Sequence, residues 1–206
     1  MPRYFQCECI DKLTGRSFRL RLIGADPEKA RSVASAWGFV TATPEPITPD
    51  PKKLLRGTTQ PRQGKSVTMC EVWAASYSND FDERLRVRNQ DCPLADRHYL
   101  LQSLAEEAYK LREGRSDALT WCEWACWQWL MEAPLLIEAV RREFPPPGEF
   151  VSINVPKRLV ILLEKARDTE RAAEVARGCQ QIGLKAEDAE YLARKVEKFE
   201  KAMAKK

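Results

Sequence analysis

The chain has 206 residues, 44% hydrophobic and 31% charged, with a formal net charge of +4. That is enough for one large or two small domains, each with a real core. No run approaches the ~18–20 apolar residues of a membrane-spanning helix, and seven cysteines at irregular spacing do not read as a disulfide framework. The opening Met1-Pro2-Arg3-Tyr4 lacks an apolar run, so no secretory leader is expected, and reduced thiols in a cytoplasmic protein fit best. Charge is uneven along the chain. Residues 1–68 carry 12 Lys/Arg against 6 Asp/Glu, and residues 69–206 carry 22 against 24. An acidic partner is therefore expected to meet the N-terminal third.

The predicted fold class is α+β. Residues 1–42 read as a small β-β-α-β module. Tyr4–Ile10 is strand-like, Asp11–Gly15 is a turn, and Ser17–Ile23 alternates apolar and basic residues with period two. Asp26 is a good N-cap with Pro27 at the first helical position. Ala30, Val33, Ala34 and Trp37 make an apolar stripe, Gly38 ends the helix, and Phe39–Ala42 returns as a third strand. Prolines 44, 46, 49, 51 and 61 exclude regular helix or central strand, so residues 43–66 are expected to be a basic, extended or disordered linker.

Residues 67–206 are expected to form a mostly helical domain. Val67–Ser76 fits either a strand or a short helix, and Asn79–Asp91 a loop or ragged helix. One helix is predicted from Pro93 or Asp96 to Glu113 and another from Ser116 to Glu132. Pro134 opens a third that ends near Phe144. Pro156 opens the helix that carries Leu159, a helix over Thr169–Ile182 follows, and the last runs from Ala186 to about Ala202.

No catalytic constellation emerges. Gly64-Lys65-Ser66 lacks the upstream glycine of a phosphate loop. His98, the single histidine, is expected to cap a helix or lie at the surface. Cys7 and Cys9 share a strand face and Cys122 and Cys126 a helix face, but neither pair has knuckle spacing, and buried thiols account for them better than zinc. Four tryptophans in Trp121–Trp129 make a helix apolar almost all round, which belongs between neighbours. No metal or cofactor is expected.

Leu159–Ile182 reads as a helical hairpin. Leu159 and Leu163 lie on its first helix, and Ala172 and Cys179, seven apart, return to one face of the second. Ala172 should then sit at the closest helix approach, with Ala173 more exposed. The same frame recurs 54 residues upstream, where Ala105, Tyr109, Ala118 and Ala125 match those four positions. That offset exceeds the roughly 34-residue tetratricopeptide period, and a helix and loop over Ala133–Val155 occupy the excess. An ordinary α-helical bundle is the alternative, because close helix crossings select small residues.

The segment from Arg97 (RHYLLQSLAEEAYKLRE) through LVILLEKARDTERAAEVARGCQQIGL resembles the tetratricopeptide-like C-terminal region of uncharacterised bacterial proteins. The likeness covers roughly residues 93–200. Where those relatives carry a Gly-rich segment, this chain has Leu184–Ala189. The resemblance implies a helical-repeat fold and a non-enzymatic scaffold that binds another protein. First helices of the hairpins would line its groove, making Gln102, Glu106, Lys110, Lys157, Val160 and Glu164 candidate contacts. The alternative is a nucleic-acid-binding protein whose Arg16, Arg19, Arg21, Lys52, Lys53 and Arg56 contact phosphates.

Overall fold

Period-two alternation builds an N-terminal hairpin. A computed structural model describes residues 3–48, 58–62, 65–143, 154–182 and 186–204. Strands β1 (Arg3–Asp11) and β2 (Ser17–Gly24) pair antiparallel, from Arg3 opposite Gly24 to Ile10 opposite Ser17. Phe5, Cys7, Cys9, Phe18, Leu20 and Leu22 face the core, while Glu8, Ser17 and Arg19 face outward. The turn forms because Asp11 Oδ1 accepts from the Leu13 and Thr14 N–H groups at 2.9 and 3.2 Å. Helix α1 (Pro27–Ala36) starts as its sequence dictates, with Asp26 Oδ1 accepting from Lys29 N at 2.8 Å. Gly38, at φ +76°, turns the chain into β3 (Phe39–Thr41), which pairs with the other edge of β1.

The expected linker contains strands. Strand β4 (Glu45–Ile47) joins the sheet beside Tyr4–Gln6 of β1. Pro46 is compatible because an edge residue need not donate a ladder hydrogen bond. Strands β5 (Thr58–Arg62) and β6 (Lys65–Met69) form a separate two-stranded hairpin that contains Pro61. The ambiguous Val67–Ser76 stretch resolves into the end of β6 and helix α2 (Glu71–Ser76).

Helix α3 (Phe81–Val87) is capped by Asp80, whose Oδ1 accepts from Asp82 N at 2.9 Å. Helix α4 (Leu94–Leu111) follows. Helix α5 (Ala118–Glu143) is continuous where two helices were expected. Pro134 lies inside it with its ring exposed. A missing N–H and ring crowding cost roughly 3 kcal/mol in a helix interior, and buried Leu136, Ile137 and Val140 hold the helix beyond it. Helices α6 (Val155–Lys165), α7 (Thr169–Gln180) and α8 (Ala186–Met203) complete the chain, and α7 packs against both α6 and α8.

The chain divides into two compact units, which cut across the expected boundaries at 42 and 66. The first comprises Met1–Ile47, Cys126–Glu132 and Ser152–Lys206, and the second Thr48–Ala125 and Ala133–Val151.

In the first unit, α7 buries more than one face. Ala172 and Ala173 are both fully buried, so the expected contrast between them is absent: with neighbours on two sides, a 100° rotation does not reach solvent. Arg171 of α7 is 1% exposed. Its Nε donates to Asp11 Oδ2 at 3.1 Å, one Nη donates to Glu174 Oε2 at 2.9 Å and the other to the Trp37 carbonyl. The guanidinium lies 4.9 Å from the Trp127 ring centre and 5.4 Å from that of Phe39. Gln128 closes the free edge of β2: its Oε1 accepts from Arg21 N and its Nε2 donates to Arg21 O, both at 2.8 Å. A side-chain amide thus takes the place of a further strand.

In the second unit, α2 packs on α3 and α4, and α3 on α4. Cys122 of α5 donates to the Ala105 carbonyl of α4 at 3.2 Å. Three of the four tryptophans are buried as expected: Trp127 and Trp129 are 0% exposed in the first unit and Trp124 is 7% exposed in the second, while Trp121 is half-buried.

Candidate functional site

The outward-facing side of the N-terminal sheet gathers exposed apolar and basic side chains. Inward residues of β1 are odd-numbered, so alternation turns Ile10 out, and the register sets it opposite Ser17 on β2 and Val40 on β3. Ile10, Leu13 in the β1–β2 turn and Val40 are 43%, 50% and 52% exposed. Val40 borders a depression of about 380 Å³ that Lys12, Arg31, Ser35 and Phe39 also line. Lys12 and Arg31 are exposed and have no ion-pair partner among the described residues. The Lys12 backbone is fixed by its N–H donating to the Gly38 carbonyl at 3.1 Å. Two unpaired cations therefore flank an exposed apolar strand residue, an arrangement suited to carboxylates alternating with apolar groups.

Arg16, Arg19 and Arg21 belong to the same unit, but they are engaged there. Arg19 donates to Gln6 Oε1 at 3.4 Å and stands opposite Glu8. Arg21 lies 4.9 Å over the Tyr4 ring and Arg16 5.8 Å over that of Phe18. Lys52, Lys53 and Arg56 lie outside the described residues.

The six candidates for the expected helical groove divide between the two units. Gln102, Glu106 and Lys110 belong to the second unit, and Lys157, Val160 and Glu164 to the first. Val160 is fully buried, because α6 turns it into the core. Lys157 forms an ion pair with Asp188, whose side chain is 5% exposed. Glu164 accepts from Lys195 and, at 2.7 Å, from Lys198; these bonds hold its carboxyl below the usual carboxylate range. Both α6 residues thus bind α8. Lys110 pairs with Glu107 at 2.7 Å on its own helix.

The nucleophile candidates are enclosed. His98 is 1% exposed, which corrects the surface expectation, and burial pushes its pKa down to about 4. Burial pushes the Cys9 thiol up to about 12 and raises those of Cys7 and Cys179. Cys7 Sγ is spent on the Ala42 carbonyl at 3.1 Å. Among the described residues, no three His, Cys, Asp or Glu side chains are grouped to share a metal ion, and no helix is long and apolar enough to cross a membrane.

Sequence reasoning missed Ile10, Leu13, Val40, Lys12 and Arg31. The signal for Ile10 was present: once Phe5, Cys7 and Cys9 face inward, an isoleucine at the next even position must face out. No family model matches this chain, and neither a curated protein nor a solved structure matches it significantly.

Proposed function

We propose that this chain is a non-enzymatic interaction protein that docks an acidic segment of another protein, with interspersed apolar residues, against the sheet end formed by Ile10, Leu13 and Val40. The observation that carries this reading is the exposed Val40 sharing a depression with Lys12 and with Arg31 of α1, neither of which has an ion-pair partner among the described residues. Exposed apolar groups with a charged rim are the composition of a binding patch. Addition of a partner strand is disfavoured, because Gln128 occupies the β2 edge and β4 carries Pro46. The helical region serves as scaffold. Its three consecutive helices α6, α7 and α8, packed neighbour on neighbour, support the tetratricopeptide-like part of the proposal.

The test is photo-crosslinking in the native host from position 40, with position 119, also exposed, as the control. A protein captured from position 40, absent from position 119 and lost when Lys12 and Arg31 are both changed to Glu, supports the reading. Capture that survives the double charge reversal refutes it.

A second reading, nucleic-acid binding, is favoured by Arg19 and Arg21 alternating with buried residues on one side of β2. A mobility-shift titration of the full chain should then show affinity falling steeply with salt. No shift at low salt removes that reading.

A further inference from the structure

Trp37, just past the end of α1, stands against the backbone of α7. A Cβ at Gly178 of α7 would lie 2.7 Å from the Trp37 ring, so the position takes glycine although glycine is a poor helix former. The half-buried Trp37 lines a depression of about 580 Å³ together with Ala36, Glu174, Arg177, Gly178 and Gln181. Small-molecule sites have volumes in this range. Arg171 forms part of the wall, but Asp11, Glu174 and the Trp37 carbonyl already hold it. Arg177 pairs with Glu200 at 3.1 Å. Three carboxylates therefore meet two guanidiniums.

Arg171 occupies only Oε2 of Glu174. Oε1 has no hydrogen-bond partner among the described residues, and the Glu174 side chain is 46% exposed. The C-terminal ends of α1 and α7 reach the same depression. Helix α1 has no basic residue in its last turn, and Arg177, the basic residue in the last turn of α7, is held by Glu200. The negative ends of two helix dipoles thus stand beside a half-free carboxylate and an indole ring, with no free cation to offset them among the described lining residues.

We propose that this depression binds a small organic cation with N–H donors, an amine or a guanidine on a short apolar stem. Its charged group donates to Glu174 Oε1 and lies against the indole, whose ring attracts a cation. Its stem covers Ala36 and the edge of the ring. An anion is disfavoured there, because it would meet the open carboxylate oxygen and both helix ends. A free amine and a lysine side chain of another protein share this chemistry.

The experiment titrates the isotope-labelled full chain, followed by NMR, with putrescine, with N-acetyl-lysine N-methylamide and with the uncharged diol that matches putrescine. Either amine should saturably shift the Gly178 amide and the Trp37 indole N–H, the latter identified by its absence in Trp37→Phe, and the diol should not. Tighter binding of putrescine marks a free amine as the ligand, and tighter binding of the lysine derivative marks a protein side chain. Glu174→Gln should weaken binding roughly three- to tenfold, and Arg177→Gln should tighten it by removing a positive charge from the rim. The proposal is overturned by the absence of saturable shifts with either amine, by equal shifts with the diol, or by shifts that leave Trp37 and Gly178 unmoved. Unchanged affinity in Glu174→Gln or weaker binding in Arg177→Gln overturns it too. The comparison of amine with diol uses the parent chain, so it decides the matter even if a variant fails to fold.

Discussion

Replacing Asp11 by Asn isolates the charge in the buried contact between the first turn and α7. The amide keeps Oδ1 as the acceptor for the Leu13 and Thr14 N–H groups, so the turn survives. At the other oxygen it faces Arg171 Nε, which now has a neutral group 3.1 Å away, or an N–H against its own N–H. Arg171 stays charged and its side chain is 2% exposed. Breaking a buried pair from one side typically costs 3–5 kcal/mol, because a charge is left uncompensated. Glu174 remains against the guanidinium, but its side chain is 46% exposed and screened, so the lower end of that range applies: about 3 kcal/mol. For a chain of this length that is roughly 6–12 °C in Tm. Removing both ions, as Asp11→Asn with Arg171→Leu, should cost less than the sum of the singles, with a coupling of about 2 kcal/mol. Urea unfolding at neutral pH, followed by circular dichroism, measures all four states. A single variant within about 1 kcal/mol of the parent, or a strictly additive double, would refute the account of Arg171 as an ion held by Asp11.

Gly38→Ala should be severe, because φ is +76° and a Cβ there would lie 2.3 Å from Arg171 Nη1; thermal unfolding should fall by more than it does for Gly15→Ala, which meets no neighbour within 4 Å. Ala172→Leu and Ala173→Leu should each destabilise by roughly 1–3 kcal/mol through overpacking, since both are fully buried, and a silent Ala173→Leu in the same melts would contradict the two-sided packing of α7. His98 binds its proton near pH 4 when folded against 6.5 as a free side chain, so the unfolded state takes up protons first. Its contribution is therefore present above pH 6.5 and is lost as pH falls towards 4, up to on the order of 3 kcal/mol. His98→Gln should flatten that part of a stability-against-pH curve, and an unchanged slope would count against the buried neutral histidine.

Features set by neighbours within a few residues are legible in the amino-acid sequence alone. Asp26 caps α1 because the donor it satisfies is three residues away, and the alternation of β1 and β2 sorts inward from outward side chains with no knowledge of the rest of the chain. The four-tryptophan stretch had to be a buried helix, because nothing in water stabilises so much apolar surface. Tertiary structure decided the rest. Pro46 lies in a strand because β1 had an edge to offer, and Pro134 stays within α5 because the residues beyond it are buried. Arg171 finds Asp11 160 residues away, and no local rule distinguishes such an arginine from one on a solvated helix face. The same reason occupied two of the expected groove contacts. Lys157 and Glu164 looked available on α6, but α8 carries Asp188, Lys195 and Lys198 to meet them. A charged side chain is free or occupied according to which distant element folds against it, and spacing along one helix carries no record of that.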